Sequence, residues 1–489
     1  MDQKDTEDNT ETPALKTDSS IEQRVATQSS LFPKIVAYIK DKFSSVNIGH
    51  LLLLLLGLHL FAMSFPNGST DYVFDECYYI GSSGSCNNHF DQDLLRLIPS
   101  NLEHPFFGKV WGALGIFLFG DNFFGWRIFY VLIGVLCVWV FYELARVFLS
   151  KEKALFAASL LGFETLFFIH TSLALLEGPP ILFALLGFLA YFKKRYYWSG
   201  VAMGLSILSK EWGLYFVGAL LLYHVWATKH TAIRTLLTGV QLKRLLIFMA
   251  ILLLVVALPL WAYDAAYHPY TSTTAFVGVK YIVDPQTNTT ITSTTTTYSH
   301  SGAISNPIQN WEYYLSYQSS LTGCGTVNYW NCYPWSWILP FNIEPMAYYS
   351  IGVAVTTTFG NGQQVVSVYH SIDWLGIGNL VIWYSIWIIV PVLAVKVLRR
   401  NVTSFDALIG CWIAATYLPW FYISLVLHRV EYAFYFINVD PGLALGIPMV
   451  ITFIAPDNVK LQRALMALWF GAAVLFFVLY FPVHPLGFR

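Results

Sequence analysis

Long apolar runs separated by short polar turns fill most of this chain, from IGHLLLLLLGLHLFAM at residue 48 to MALWFGAAVLFFVLYF at residue 466. A helix needs about 20 apolar residues to cross a bilayer. At that length the pattern predicts eleven spans, at about 48–65, 126–145, 154–170, 178–192, 197–209, 213–227, 245–263, 376–396, 405–423, 432–454 and 464–481. The third to sixth are short, which fits tilted or merging helices. The implied fold class is an all-α polytopic membrane protein.

Composition sharpens this reading. The chain is 56% hydrophobic and 12% charged, against about a quarter charged for an ordinary soluble protein. Residues 1–46, rich in Asp, Thr, Ser, Gln and Glu, read as a disordered cytoplasmic tail. That tail sets the first apolar run too deep for an ordinary cleaved signal. The net charge of −1 points to no partner class, nucleic acid included, but the placement of charge is informative. Of the 28 lysines and arginines, all but Arg96, Lys109, Arg127, Lys210, Lys280, Arg429 and Arg489 fall in the tail or in alternate connections between spans. Because basic residues collect on the cytoplasmic side, this asymmetry predicts an N-in, C-out topology. The membrane domain is then 47–481, followed by an outer C-terminal tail, 482–489.

Two outer segments, 66–125 and 264–375, are too long to be simple connections. The second contains the low-complexity stretch TNTTITSTTTTYSHS, followed by the Trp- and Tyr-rich runs NPIQNWEYYLSYQ and NCYPWSWILPF. Such aromatic runs suit the headgroup region. Cys77 and Cys86 are both outside, as are Cys324 and Cys332. Their short spacings suggest the disulfides Cys77–Cys86 and Cys324–Cys332 in an oxidising compartment, with free thiols as the alternative. Sequons begin at Asn67, Asn288 and Asn401, the first two on the outer side.

Charge that survives at the outer membrane edge is expensive and usually has a partner or a task. The unusual outer groups are Asp75 and Glu76 in FDECYYI, His104 and Lys109 in EHPFFGK, Arg127 in FGWRI, Glu177 in LALLEGPP, Lys210 and Glu211 in LSKEWG, and Arg429 in LHRVEY. Acids gathered with bases suit one chemistry: cations grip an anionic phosphate while a carboxylate removes a proton from an acceptor. Each group also has a bland reading. Asp75 and Glu76 would be a solvated loop pair. Lys109 and Arg127 would snorkel to headgroups. Lys210 and Glu211 would form a structural ion pair. Glu177 would favour a helix start, and His104, before Pro105, would be a turn residue. No ligand cluster has metal spacing, so the sequence requires no metal or other cofactor. A transporter would place its ionisable groups near the midplane and often shows internal repeats; neither feature is present.

In their order and spacing these motifs resemble the protein O-mannosyltransferases, the dolichyl-phosphate-mannose–protein mannosyltransferase family of the GT-C fold. The resemblance runs from about 48 to 481. FDECYY is similar to the family's Asp-Glu motif and EHPFFGK to its His-Pro-Pro-Leu-Gly-Lys motif. GWRI, LALLEGPP and SKEWGLY follow in family order. NPIQNWEYYLSYQ, YPWSWILPFNIEPMAYY, LGIGNLVIWY and HRVEYAFYF resemble its C-terminal part. There are departures: Phe106 and Phe107 replace the second Pro and the Leu, Glu177 stands where Asp is frequent, and Tyr435 stands where some relatives carry His. The extra β-trefoil domains have no room between spans seven and eight, so the chain resembles a compact, archaeal or other prokaryotic member.

The resemblance implies transfer of mannose, with inversion, from a polyprenyl-phosphate carrier to Ser or Thr hydroxyls of exported proteins. That places the active site at the non-cytoplasmic face of the plasma membrane. It also implies Asp75 as the general base, Glu76 as its support paired with Arg127, and Arg429, Lys210 and Lys109 as cations for the lipid phosphate. His104, Glu177, Glu211 and Tyr435 are then supporting residues. The alternatives are the same donor class with a lipid or glycan acceptor, or a non-enzymatic transporter or scaffold.

Overall fold

A computed structural model describes residues 47–65, 72–80, 104–228, 240–266, 271–272, 302–303, 306–321, 333–339, 346–358, 364–429, 431–481 and 483–485. The chain divides into Met1–Leu51 and Leu52–Arg489. Of the first unit only 47–51 is described, where Asn47 Oδ1 accepts the Gly49 N–H at 2.9 Å and opens a helix. Cys86, Cys324, Cys332, Asn67, Asn288 and the side chain of Cys77 lie outside the described residues.

The described part is mainly helical. In chain order the helices are α1 (Ile48–Met63), α2 (Glu76–Tyr79), α3 (Phe107–Phe119), α4 (Phe123–Ala145), α5 (Lys151–Gly162), α6 (Thr165–Ser172), α7 (Gly178–Phe192), α8 (Tyr196–Ser209), α9 (Gly213–Thr228), α10 (Val240–Ala266), α11 (Pro307–Ser320), α12 (Leu380–Trp383), α13 (Ile386–Leu398), α14 (Ser404–Val426), α15 (Asp440–Ile454) and α16 (Val459–Leu479). Among the described residues, five stretches are long and apolar enough to cross a membrane: Phe123–Ala145, Leu242–Tyr263, Leu380–Leu398, Ser404–Val426 and Val459–Leu479. The pair α5 and α6, bent by 65°, passes as a sixth, broken span. Leu253, Leu258, Trp261, Leu468 and Leu475 stand exposed on these helices, as expected of side chains whose solvent is lipid. The protein is thus an integral membrane protein with a helical core.

Four features depart from the sequence reading. The run at 154–170 is broken because Glu164 sits inside it. Its carboxylate accepts from Phe167 N at 2.6 Å and from Asn379 N at 2.7 Å, capping α6 and ending α5. The 376–396 run becomes helical only at Leu380, where Asn379 Oδ1 caps α12. The 432–454 run opens as a 3-10 turn, Ala433–Asn438, before α15. The large outer segment contains an antiparallel hairpin, β3 (Met346–Thr358) with β4 (Gln364–Gly376), extended by β5 (Val483–Pro485) in the order β3-β4-β5. Gly352 pairs with His370 and Thr358 with Gln364. A separate two-residue ladder joins β1 (Thr271–Ser272) to β2 (Gly302–Ala303).

Two close glycine contacts fix the place of α3. A Cβ at Gly108, at the start of this helix, would run into the carbonyl oxygen of Ser209 at the end of α8. A Cβ at Gly115 would likewise strike the Gly125 carbonyl oxygen on α4. Only glycine allows backbones to approach so closely. In this way α3, which the sequence reading left inside an outer loop, is clamped between α4 and α8.

Candidate active site

The linkers between these helices fall at two ends. One end collects basic residues: Lys153 Nζ donates to Thr452 Oγ1 at 2.8 Å, and Arg463 Nε donates to Glu152 Oε1 at 2.8 Å. The other end joins 72–80, the start of α3, the start of α4, 173–177, 210–212 and 427–438, and it holds every candidate residue.

Its centre is Glu76, the first residue of α2. The carboxylate is fully buried. Oε1 accepts from Arg127 Nε at 2.7 Å and Oε2 from Arg127 Nη2 at 2.6 Å, a bidentate pair. Val73 N donates at 2.9 Å and Ala174 N at 2.8 Å. Arg127 Nη1 donates to the carbonyls of Met63, at 2.7 Å, and Phe65, at 3.1 Å. A buried ion pair holds when its remaining donors and acceptors are also satisfied, and here they are. The Asp-Glu run, the end of α1, α4 and the linker after α6 are therefore tied together by one carboxylate.

Asp75 is half-buried. It stands at the N-cap of α2, with φ −73° and ψ −3°. Phe74, immediately before it, has a φ of 54°. That left-handed conformation costs a side-chain-bearing residue about 1–2 kcal/mol. The Phe74 ring packs edge-on against Phe434, 5.5 Å away. The turn that presents Asp75 is thus held by packing against the 3-10 segment that carries Tyr435.

A second network lies beside it. Lys210 Nζ donates to Glu177 Oε1 at 2.6 Å, and Glu177 Oε2 meets His170 Nδ1 at 2.8 Å. Burial alone would raise the Glu177 carboxyl, but Lys210 and then His170 outweigh it and hold the group below the usual carboxylate range. Lys210 Nζ also stands 3.9 Å over the Trp212 ring, within cation–π range. Glu211 turns to His104, Oε2 to Nδ1 at 2.8 Å. Burial pushes the His104 ring below its ordinary value against the pull of Glu211. Lys109 is fully buried, and its Nζ donates to the His104 carbonyl at 3.2 Å. Adjacent Lys210 and Glu211 therefore do not pair with each other; each finds a distant partner.

Arg429 closes the site. Its Nε donates to the Gln318 carbonyl at 2.9 Å, and its Nη2 donates to Gln318 Oε1 and, at 3.1 Å, to Tyr435 Oη. The Tyr435 that Arg429 holds follows Phe434, the ring on which Phe74 packs beside Asp75. Around them lies an aromatic wall: Trp420 stacks on Tyr435 at 4.6 Å, and Trp212 meets Tyr435 edge-on at 5.0 Å.

Among the candidates, the structure joins Glu76 to Arg127, Lys210 to Glu177, His104 to Glu211 and Lys109, and Arg429 to Tyr435. Sequence reasoning missed His170 and Gln318. His170 had a signal, a lone imidazole in the apolar run LFFIHT seven residues before Glu177. Gln318 had none, since it reaches Arg429 across 111 residues.

Residues 103–263 match the family described as dolichyl-phosphate-mannose-protein mannosyltransferase. Over 424 residues the chain is 26% identical to a polyprenol-phosphate-mannose–protein mannosyltransferase of Mycobacterium tuberculosis, covering 78% of this chain and 75% of that one. The corresponding protein of Corynebacterium glutamicum is 23% identical over 404 residues, 73% of each chain. Among solved structures, a chain of the S. cerevisiae protein O-mannosyltransferase complex bound to the sugar donor is similar over 89% of both chains, with a TM-score of 0.62 at 14% identity. That likeness establishes the fold.

Proposed function

We infer that this chain, which has the fold of a protein O-mannosyltransferase chain and matches that family's description over residues 103–263, is a member of the family and moves mannose from a polyprenyl-phosphate carrier to Ser or Thr hydroxyls of exported proteins. The observation that supports the reading is that the turn presenting Asp75 packs, through Phe74 on Phe434, against the 3-10 segment whose Tyr435 takes a hydrogen bond from Arg429.

The chemistry follows from these groups. A serine hydroxyl is a poor nucleophile at neutral pH and needs a base within hydrogen-bond reach. Asp75 takes the proton as the hydroxyl oxygen attacks the anomeric carbon. The bond from that carbon to the phosphate oxygen breaks, and the electron pair leaves with the lipid phosphate. Attack from the face opposite the leaving group inverts the sugar centre. Arg429 holds the departing negative charge, and a planar guanidinium matches phosphate oxygens better than an ammonium does. Lys210 is the second cation, already steered by Glu177. Glu76 and Arg127 hold the Asp75 turn rigid. With the basic end of the helices on the cytoplasmic side, the site opens at the outer face of the plasma membrane. The carrier's apolar tail then stays in the outer leaflet, and the exported protein is the acceptor.

The direct test is purified protein with radiolabelled polyprenyl-phosphate-mannose, offered Ser/Thr peptides in parallel with lipid acceptors. Label in peptide is the expected result; label in lipid alone would replace the acceptor. Within this scheme, Arg429→Ala weakens donor binding by about 30-fold or more, since loss of one charged hydrogen-bonding partner typically costs about 2–5 kcal/mol. Arg429→Lys recovers part of the loss. Equilibrium binding of the lipid donor measures both, and unchanged affinity in the alanine variant would move the phosphate to Lys210.

A further inference from the structure

Two residues beyond Arg429, Glu431 lies 1% exposed, and neither of its carboxyl oxygens has a hydrogen-bond partner. Buried polar atoms almost always have one, and a buried acid without one is costly. Burial pushes this carboxyl up to about 8, against the lowering influence of Arg429. A second orphan lies nearby. Trp420 is 2% exposed, and its indole Nε1–H also lacks an acceptor. Tyr432, the residue after Glu431, meets the Tyr435 ring edge-on at 5.8 Å, and Trp420 stacks on the same ring at 4.6 Å. Two carboxyl oxygens and one indole N–H are thus left over on segments packed around one tyrosine. Tyr432 is 38% exposed, so this cluster lies near the surface.

We propose that Glu431 and Trp420 bind the hydroxyls of the donor's sugar, a binding subsite next to the phosphate-holding Arg429. This assignment rests on the mannosyl-transfer reading and extends it to named sugar contacts.

A sugar is selected on three grounds. The leaving phosphate gains nothing from Glu431, which offers it no positive charge: a neutral carboxyl does not neutralise the anion, and an ionised one repels it. An apolar group would leave all three polar atoms unsatisfied. A neutral polyhydroxylated ring supplies O–H donors for Glu431 and an acceptor for Trp420, and it lays C–H faces on aromatic rings. Pockets of this kind use few polar groups among aromatic walls to fix ligand orientation. Distance agrees as well. The anomeric carbon is one bond from the phosphate oxygen, so hydroxyls of the same ring fall within a few ångströms of the group that holds the phosphate. A site built to hydrogen-bond a hydroxyl also discriminates strongly against ligands that lack it.

The test compares polyprenyl-phosphate-mannose with bare polyprenyl phosphate, both bound to purified full-length protein. Wild type is expected to bind the mannose-bearing carrier more tightly. Glu431→Gln, which keeps the shape, should lose about tenfold or more of that gain, with affinity for the bare carrier within about twofold. If Glu431→Gln keeps the full gain, or if both ligands weaken equally, the sugar contact is overturned. Trp420→Phe removes the N–H together with part of the aromatic surface and should also lower the gain; it carries the test alone if Glu431→Gln does not fold. A wild-type protein that binds the two carriers equally defeats the mannose-donor reading itself, which separates that failure from failure of the Glu431 contact.

Discussion

Asp75→Asn lowers turnover by about 100-fold or more, the usual scale for loss of a general base, and leaves donor affinity nearly unchanged. The substitution keeps shape and hydrogen-bonding capacity and removes only basicity. Glu76 cannot replace it, because both of its oxygens are already engaged by Arg127, Val73 and Ala174. Glu177 is similarly committed to Lys210 and His170. Single-turnover kinetics with prebound donor separates chemistry from binding. A variant with near-normal turnover would show that the base is another group.

Arg127→Met has a different signature. It leaves the Glu76 charge buried with two donors lost, and breaking such a pair from one side costs about 3–5 kcal/mol. The folded population and the activity should therefore fall together. The double variant Arg127→Met with Glu76→Gln removes the stranded charge and should be more stable than Arg127→Met alone, the non-additivity expected of partners in contact. Thermal unfolding in detergent of the two single variants and the double variant checks this. If Arg127→Met unfolds at the wild-type temperature, the lock has no structural weight.

Much of this arrangement was legible in the sequence because charge in an apolar run carries a visible penalty. Glu76, Arg127, Lys210 and Arg429 stand out among Leu, Phe and Trp before any coordinates are known. Their partners were less legible. Glu211 neighbours Lys210 in sequence yet bonds His104 across 107 residues. Glu164 was passed over because a single acid did not interrupt the apolar count, although it ends a helix and ties Asn379 across 215 residues. Glu431 looked like an ordinary member of the motif HRVEYAFYF and Trp420 like part of the apolar span 405–423; only their polar atoms without hydrogen-bond partners distinguish them. The 346–376 hairpin was hidden for another reason: period-2 patterning is a local signal, and this stretch lay inside a segment already assigned to an outer loop. The helices themselves were read well where no Asp, Glu, Lys or Arg lay within them, as at Gly178–Phe192 and Gly213–Thr228.

The Glu76 lock also has a consequence for how the protein is made. Its donors are spread along the chain: Arg127 follows 51 residues later and Ala174 follows 98 residues later. A ribosome adding about 5–20 residues per second takes roughly 5–20 s to cover the longer interval. For that time the acid has left the ribosome without its full set of native donors. It waits in water or at the headgroups, where an ionised carboxylate is comfortable, and enters its buried position only after the α4 segment and the linker after α6 have been inserted. Assembly of the Asp75–Glu76 turn is therefore a late event in biogenesis, although its residues are among the first of the membrane domain to be synthesised.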